Sequence, residues 1–247
     1  MSRGDIYSGV TVSGSNNRLG STGDTYYPAS PAETETSHRS APPASDGPVH
    51  ALYAFADIIG WSKQSARIQA LSISDLVDFL ELGMVEASID PEQVEVQDQG
   101  DARFLTFPAG TDPAQVLAKL PRRLDHQLAA RNRDMAAHAQ MRVRMAFSMG
   151  ASAPGAAGRV GQAPIAVARL VNSDILRNVM KKAEEVRCGV IIDSYLYEQC
   201  VRQRFGPDLD PVDWAAARVS VPEKGFEAAA WIRLLGRTGE QSSGLLA

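Results

Sequence analysis

The sequence has few cysteines and no long apolar run, and each absence excludes a class of protein. Its 247 residues include only Cys188 and Cys200, which stand in different predicted elements with no His or Cys partner at metal-binding spacing. A disulfide framework or zinc site is therefore not indicated. No apolar run approaches the roughly 20 residues that span a bilayer, and the N-terminus lacks the apolar segment of a secretory signal. We expect a cytoplasmic protein.

Clustered positive charge is also missing. The chain carries 25 Lys and Arg residues against 29 Asp and Glu residues, a net charge of −4. Surfaces that bind nucleic acid or anionic membranes need an excess of positive charge, so we expect neither partner. The histidines have no Ser or Cys nucleophile motif to act with, and residues 155–161 lack the lysine and hydroxyl of a P-loop. The sequence therefore indicates neither a catalytic triad nor a P-loop.

The composition changes along the chain. Ser, Gly and Pro make up 20 of the first 48 residues, and apolar residues there are too sparse to offset the entropy of ordering. Beyond them, short apolar runs alternate with amphipathic segments, which is typical of a mixed α/β or α+β domain. We predict a disordered tail over residues 1–48, a folded domain over residues 49–237 and a C-terminal tail over residues 238–247.

Two acidic residues stand out within the folded domain. Asp57 ends a predicted buried strand over residues 51–58, and Asp101 lies at the tip of a predicted hairpin, directly after Gly100. Carboxylates at neighbouring strand ends can converge on a hard cation such as Mg²⁺ or Mn²⁺. Each acid could equally cap its own turn, and the spacing alone does not decide between these interpretations.

Five segments, in order, resemble the motifs of class III nucleotidyl cyclase catalytic domains, the adenylate and guanylate cyclase family. The first, FADIIGWS over residues 55–62, is similar to the family's F-x-D-I-x-G-[FW]-[ST] motif. The others are similar to its G-D hairpin, its R-[IV]-[RG]-x-[GA] strand, part of its G-x-x-V-N-x-A-x-R-L helix and its K-G turn. These four lie at residues 100–107, 142–150, 161–170 and 224–226. The resemblance therefore covers most of the predicted domain.

This resemblance implies a fold and a chemistry. The fold would be α+β and ferredoxin-like, with a central, mostly antiparallel sheet and flanking helices. Two divalent ions per active site, Mg²⁺ or Mn²⁺, would be held by Asp57, Asp101 and the backbone carbonyl of Ile58. The ions would bridge the triphosphate of a nucleotide and help lower the pKa of the 3′-hydroxyl that attacks the α-phosphate. The products would be a 3′,5′-cyclic nucleotide and pyrophosphate.

The resemblance also implies a homodimer with shared active sites, because family sites form between two antiparallel subunits. Arg169 of one chain would stabilise the charge that develops at the α-phosphate held by the other chain's metals. Lys224 would neutralise the terminal phosphates. Phe55, on the same strand face as Asp57, could border the nucleotide, and the alternative is an ordinary core position.

The sequence departs from the family at one catalytic position. Ile165 stands four residues before Arg169, where the family has an asparagine, and isoleucine cannot donate a side-chain hydrogen bond. Asn172 could substitute, although a helix-surface role is the alternative. Loss of one transition-state donor lowers rates by about 10²- to 10³-fold without abolishing catalysis. The competing hypothesis is a catalytically degenerate cyclase fold that serves as a nucleotide-binding or interaction module and assembles through its N-terminal tail.

The base-selecting positions depart as well. Gln97 replaces the family's lysine or glutamate, and the partner position near Gly158 has no side chain to read a base edge. Such divergence is similar to that of the pyrimidine cyclases of anti-phage Pycsar systems, which make cyclic UMP or cyclic CMP to activate a neighbouring effector. Gln97 could hydrogen-bond uracil or cytosine through either amide atom, so the sequence leaves the base open.

The predicted tail carries a separate signal. Residues 6–17, IYSGVTVSGSNN, combine β-branched residues with an Asn-rich turn and resemble short amyloid-signalling motifs that link bacterial effectors to NLR-type partners. Low-charge, β-prone segments of this kind can stack with asparagine ladders. A flexible polar tail with chance alternation is the alternative interpretation.

Overall fold

The computed structural model describes residues 47–156, 158–206 and 208–246. By its contacts the chain divides into residues 1–40 and 41–247, and the described residues all belong to the second unit. The predicted tail, apart from its last two residues, and its amyloid-like segment lie outside the described residues.

The described residues alternate between strands and helices. The strands are β1 (Val49–Ile58), β2 (Glu95–Gln99), β3 (Ala102–Thr106), β4 (Val143–Gly155), β5 (Gly158–Val160), β6 (Cys188–Asp193), β7 (Ala215–Val221) and β8 (Phe226–Leu234). The helices are α1 (Ala66–Glu86), α2 (Pro113–Arg133), α3 (Gln162–Val171), α4 (Asp174–Lys182), α5 (Ser194–Leu196), which continues as a π-helix over Tyr197–Val201, and α6 (Gly239–Leu246). None of the helices among these residues is both long and apolar enough to cross a membrane.

The strands form one sheet in the order β2-β3-β1-β4-β6-β8-β7, and β5 folds back on the end of β4. Every pairing between described strands is antiparallel except that of β4 with β6. Helices cover both faces. The α+β class, with a mostly antiparallel sheet and flanking helices, is therefore confirmed.

Strand β1 is buried on both faces and divides the core in two. Leu52 and Ala54 pack in the cluster that contains the apolar residues of α1 and α2. Tyr53 and Phe55 pack in the opposite cluster, with residues of α3 and α4. Because side chains alternate along a strand, Asp57 lies on the same face as Phe55. The end of β1 therefore presents its acid on the side of α3 and α4.

Helices α1 and α2 follow the predicted periodicity. Leu76, Leu80 and Met84 of α1 are each at most 2% exposed, as expected for one face of an amphipathic helix. The Asp112 carboxylate accepts a hydrogen bond from the backbone N–H of Ala114 at 2.9 Å and so caps α2. A proline inside a helical pattern predicts a kink or a break at Pro121, but the helix runs unbroken through it.

The sequence pattern predicts one helix over residues 163–183 and a loop over residues 150–161, and the structure differs in both segments. Residues 163–183 form two helices rather than one, because Ser173 takes an extended backbone and its hydroxyl donates to the Leu170 carbonyl at 2.7 Å. This local hydrogen bond competes with helix continuation. The Gly- and Ala-rich segment 150–161, predicted as a loop, instead extends β4 to Gly155 and returns as β5.

The last described helix lies in the segment that the sequence assigned to a C-terminal tail. Helix α6 contacts α4, β7 and β8. Gly239 at its start lies against the backbone of Trp214, where an added Cβ would come within 2.7 Å of the carbonyl carbon. Ser242 of this helix is fully buried. Residues 239–246 are therefore packed against the sheet.

Candidate active site

The structure places Asp57 and Asp101 at adjoining ends of β1 and the β2–β3 hairpin. Asp57 is paired in register with Ala102, the residue after Asp101, and the Ile58 N–H donates to the Asp101 carbonyl at 3.2 Å. Gly100 makes the two-residue turn possible because it adopts a φ of +72°. The backbone thus fixes the positions of both carboxylates and of the Ile58 carbonyl.

The Asp57 carboxylate is strongly influenced by its surroundings. Its side chain is 12% exposed and forms an ion pair with Arg144 of β4, the residue opposite it in the ladder. Burial raises the pKa of Asp57, the Arg144 guanidinium opposes this shift, and the negative charge of Asp101 adds to it. Burial outweighs the ion pair, so the pKa of Asp57 is raised overall.

The donor atoms at these strand ends are of the type that a hard cation prefers. Two carboxylates and a backbone carbonyl offer only oxygen ligands, which suits Mg²⁺ or Mn²⁺ rather than zinc. The repulsion between Asp57 and Asp101, seen in the pKa of Asp57, is the kind that a shared cation relieves. In the described part of the chain no group of three or more His, Cys, Asp or Glu side chains could hold a metal ion.

A separate cavity of about 610 Å³ collects the other predicted site residues. Phe55 comes from β1, Gln97 from β2, Arg169 from α3 and Lys224 from the turn between β7 and β8, and all four line it. Phe55 is 5% exposed and meets Phe104 edge-on at 5.9 Å between ring centroids, so it belongs to the core and also to the cavity wall. Asp57, Ile58 and Asp101 are not among the lining residues.

One wall of the cavity is built from β2 and β5. The Gln97 amide lies over Gly158, which has a φ of +108°. Beside it, Arg159 pairs with Glu95 at 3.1 Å, and its Nη1 atom is buried without a hydrogen-bond partner. Sequence reasoning missed Arg159 because its segment was predicted as a loop. The alternation of side chains along β5 is the sequence pattern that would have identified Arg159.

The opposite wall holds Arg169 and Lys224 together. The Arg169 Nη1 lies 3.4 Å from the Lys224 carbonyl, to which it donates. The Arg169 guanidinium also lies 5.3 Å from the centroid of the Phe226 ring, within the range of a cation–π contact. These contacts orient the arginine along the turn that carries the lysine. Both cations therefore face the same cavity.

The position of the missing asparagine is occupied by an exposed apolar side chain. Ile165 lines the cavity and is 42% exposed. Asn172 also lines it, but its amide donates to the Ala168 carbonyl at 3.1 Å and accepts from Arg177 at 2.9 Å. Asn172 is thus tied to its own helix and to Arg177, a lining residue that sequence reasoning did not single out.

The lining is rich in cations. Four lining side chains are positive and one is negative: Arg159, Arg169, Arg177, Lys224 and Glu223. Guanidinium and ammonium groups at a partly apolar cavity are well suited to phosphate. The chemistry of the cavity therefore favours an anionic ligand with an apolar or aromatic part.

Comparisons with known proteins agree with this picture at the level of the fold. No protein-family model and no curated protein matches the sequence. Among solved structures, the chain is similar to a bacterial light-regulated adenylyl cyclase, with a TM-score of 0.55 and 12% identity over 83% of this chain. It spans 58% of the length of that protein.

Two further structures match over nearly their whole length. The guanylyl cyclase Cya2 has a TM-score of 0.54 and 13% identity, covering 79% of this chain and 95% of its own. An adenylate/guanylate cyclase/hydrolase from Silicibacter pomeroyi has a TM-score of 0.54 and 11% identity, covering 76% and 98%. At these identities the likeness concerns architecture. The chain therefore has the class III nucleotidyl cyclase fold that its five ordered motifs predict.

Proposed function

We propose that the chain is a metal-dependent nucleotidyl cyclase, which converts a ribonucleoside triphosphate to a 3′,5′-cyclic nucleotide and pyrophosphate. One observation carries the proposal. Gln97, Arg169 and Lys224 are far apart in sequence yet line one basic cavity, while Asp57 and Asp101 lie together at strand ends that do not line it. We infer that these are two complementary halves of a nucleotide site, carried at different places on one chain.

This separation supports a homodimer with shared sites. In such a dimer, the carboxylates of one chain would face the cavity of a second copy, and each interface would contain a complete site. The exposed apolar residues Val160 and Ile165, at 57% and 42% exposure, lie on β5 and α3 beside the cavity. They are candidates for burial between the two chains. A monomer would then be inactive.

The residues divide the chemistry between them. Asp57, Asp101 and the Ile58 carbonyl would hold two Mg²⁺ or Mn²⁺ ions, which when bound neutralise the triphosphate and lower the pKa of the attacking hydroxyl. Arg169 would donate hydrogen bonds to the α-phosphate as charge develops there. Lys224, beside it on the same wall, would bind the terminal phosphates. Phe55 and Phe104 would supply the apolar floor.

For the base, we propose a pyrimidine. Gln97 occupies the space above Gly158, and these are the two positions at which the family resemblance places base-selecting residues. Its amide offers one acceptor and two donors, so it can pair with the ring nitrogen and exocyclic group of uracil or cytosine. Cyclic UMP or cyclic CMP would then serve as a cytoplasmic second messenger for an effector in anti-phage defence, a role supported by the motif resemblance.

The decisive experiment incubates the full chain with each of the four ribonucleoside triphosphates and Mn²⁺. Cyclic product and pyrophosphate would be measured by mass spectrometry, for the wild type, Asp57→Asn and Asp101→Asn. Arg218→Gln is the matched control because Arg218 is an exposed β7 residue outside the cavity. Product from UTP or CTP that depends on both aspartates supports the proposal. Product from ATP or GTP would support the cyclase but overturn the pyrimidine assignment.

Two observations favour a second candidate, a nucleotide-binding or interaction module without turnover. Ile165 replaces a hydrogen-bond donor at the cavity, and Arg144 is paired with Asp57. In this case, nucleotide would bind with an affinity that depends on Arg169 and Lys224, and no pyrophosphate would form under any condition. Calorimetric titration with UTP, beside the turnover assay, distinguishes the two candidates.

The N-terminal segment would connect either candidate to partners. We propose that residues 6–17 assemble in register with a similar segment of an NLR-type protein. A synthetic peptide of this sequence should form fibrils that bind thioflavin T, and a variant with Val10 and Val12 replaced by Lys should not. A wild-type peptide that stays monomeric at millimolar concentration would contradict this role.

A further inference from the structure

We propose that Arg144 is a positioning residue that competes with the divalent cation for Asp57, so that metal binding requires release of an internal ion pair. The inference rests on the proposed function, because it assigns Asp57 as a metal ligand. It goes beyond that function by giving a built-in arginine control over when the carboxylate is free.

The backbone register fixes the competition. Asp57 and Arg144 are directly opposite each other in the β1–β4 ladder, and both lie on the face of the sheet that packs against α3 and α4. Each side chain is 12% exposed. A partly buried pair between directly opposed residues loses little side-chain entropy on forming, so it is worth more than a surface pair.

No other guanidinium in the described residues pairs with Asp57. Arg142, the residue directly before β4, donates to other groups. Its Nε donates to the Val186 carbonyl at 2.7 Å and its Nη2 to the Met180 and Ala183 carbonyls at 2.6 Å each. It thereby closes the C-terminal end of α4. Arg144 is thus the cation that directly balances Asp57.

A second cavity beside Arg144 has room for its guanidinium when the ion pair with Asp57 opens. Arg144 borders this cavity of about 570 Å³, together with Gln140, Arg142, Arg177, Lys181 and Glu184. The Nε atom of Arg144 is buried and has no hydrogen-bond partner, so the guanidinium is only partly satisfied where it lies. Rotation into this cavity would bring it toward Glu184 and water, and would free the Asp57 carboxylate.

The competition makes a directional prediction about metal affinity without nucleotide. In the wild type, a cation must displace Arg144, so the free energy of the ion pair is subtracted from that of metal binding. In Arg144→Gln the carboxylates of Asp57 and Asp101 repel each other, and only the weaker influence of the Arg177 guanidinium opposes this repulsion. Hydrogen bonds to charged groups are worth enough that we expect Mn²⁺ to bind about tenfold or more tightly in this variant.

The test uses the full chain and Mn²⁺ alone, with free Mn²⁺ measured by electron paramagnetic resonance. Arg233→Gln is the matched control, because Arg233 pairs with Asp213 at 2.7 Å and its side chain is 13% exposed, yet it lies on β8, which β4 and β6 separate from β1 and Asp57. It removes the same charge at the same burial. We expect tighter Mn²⁺ binding in Arg144→Gln and unchanged binding in Arg233→Gln.

Two more variants sharpen the result. In Asp57→Asn, Arg144→Gln the gained affinity should disappear, since it depends on the Asp57 carboxylate. Arg144→Lys keeps a cation with a weaker, single-point contact and should give an intermediate affinity. This variant preserves the test if Arg144→Gln folds poorly without metal. Thermal unfolding should show a larger rise in Tm with Mn²⁺ for Arg144→Gln than for the wild type.

Equal or weaker Mn²⁺ binding by Arg144→Gln would overturn the inference, and so would a gain that survives loss of Asp57. If turnover persists while Arg144→Gln binds Mn²⁺ like the wild type, the competition fails and the cyclase stands. If no variant binds Mn²⁺ and no triphosphate is cyclised, both fail.

Discussion

The side-chain amide of Gln97 occupies the space that a Cβ would fill at Gly158. An added Cβ would lie 2.7 Å from Oε1 and 2.8 Å from Cδ of Gln97. The glycine therefore does two things, because it accepts a φ of +108° and leaves room for the amide on the cavity wall. A residue that looked like the loss of a base-reading side chain is what lets Gln97 take the position.

Gly158→Ala should therefore displace Gln97 and weaken nucleotide binding. Gly110→Ala is the matched control, since Gly110 has a φ of +89° but no neighbour within 4 Å of an added Cβ. Both variants should lose about 1–3 kcal/mol of unfolding free energy through backbone strain. Calorimetry with UTP should show lower affinity only for Gly158→Ala. Equal UTP affinities in the two variants would indicate that Gln97 takes no part in base recognition.

Arg169→Ala should lower the rate of cyclisation by about 10²- to 10³-fold, the usual effect of removing one donor to a developing oxyanion. Mn²⁺ affinity should not change, because Arg169 lines the cavity and Asp57 does not. Arg169→Lys should recover little, since a single ammonium cannot reproduce the planar fork of a guanidinium. Arg218→Ala serves as the control. Loss of Mn²⁺ binding in Arg169→Ala would indicate that the two halves of the site lie together in one chain.

Mixed dimers test the shared site directly. Asp57→Asn and Arg169→Ala chains should each keep about 1% or less of wild-type activity alone. Co-expressed chains should recover about a quarter of wild-type activity, because half of the dimers contain one intact site of two. Arg169→Ala co-expressed with Lys224→Ala is the control. Both substitutions affect the same half, so no mixed site is intact. Recovery in the control, or none in the test pair, contradicts the two-chain site.

The stability of the chain should depend on pH through Asp193. Burial raises the pKa of this carboxyl, and hydrogen bonds from the Ser148 hydroxyl and backbone N–H groups only partly oppose the shift. A folded pKa above the unfolded value means that stability is lost as pH rises above about 3.8 and through the folded pKa. Asp193→Asn cannot ionise. Its unfolding free energy, relative to the wild type, should therefore increase between about pH 4 and pH 7.

Urea denaturation at a series of pH values would measure this difference. Ser148→Ala provides the control, because the hydroxyl donates to Asp193 at 2.6 Å and stabilises its charged form. Removing the Ser148 hydroxyl should make the unfolding free energy fall further as the pH rises. A free-energy difference between Asp193→Asn and the wild type that is flat across the range would contradict the assignment.

The sequence predicted those parts of the molecule whose cause is local. The periodicity of Leu76, Leu80 and Met84 is enough to place one helix face, and these residues are buried as expected. Asp57 and Asp101 could be placed at strand ends because glycine turns follow or precede them. What each residue does at those ends remains a prediction.

The features that escaped prediction depend on distant partners. The ion pair of Asp57 with Arg144 follows from the register of two strands, which no short motif encodes. The partnership of Arg159 with Glu95 needs β5 to cross toward β2. Ser173 interrupts a continuous helical pattern because its hydroxyl prefers a local carbonyl, and helical periodicity does not register that preference.

The position of Lys224 at the turn between the last two strands has a consequence for synthesis. Gln97 and Phe55 emerge from the ribosome early, yet the wall that faces them is added only when β7 and β8 close the sheet. A nascent chain thus lacks this cavity until almost the whole domain is translated. Under the proposed function, a chain truncated before β8 would make no cyclic nucleotide.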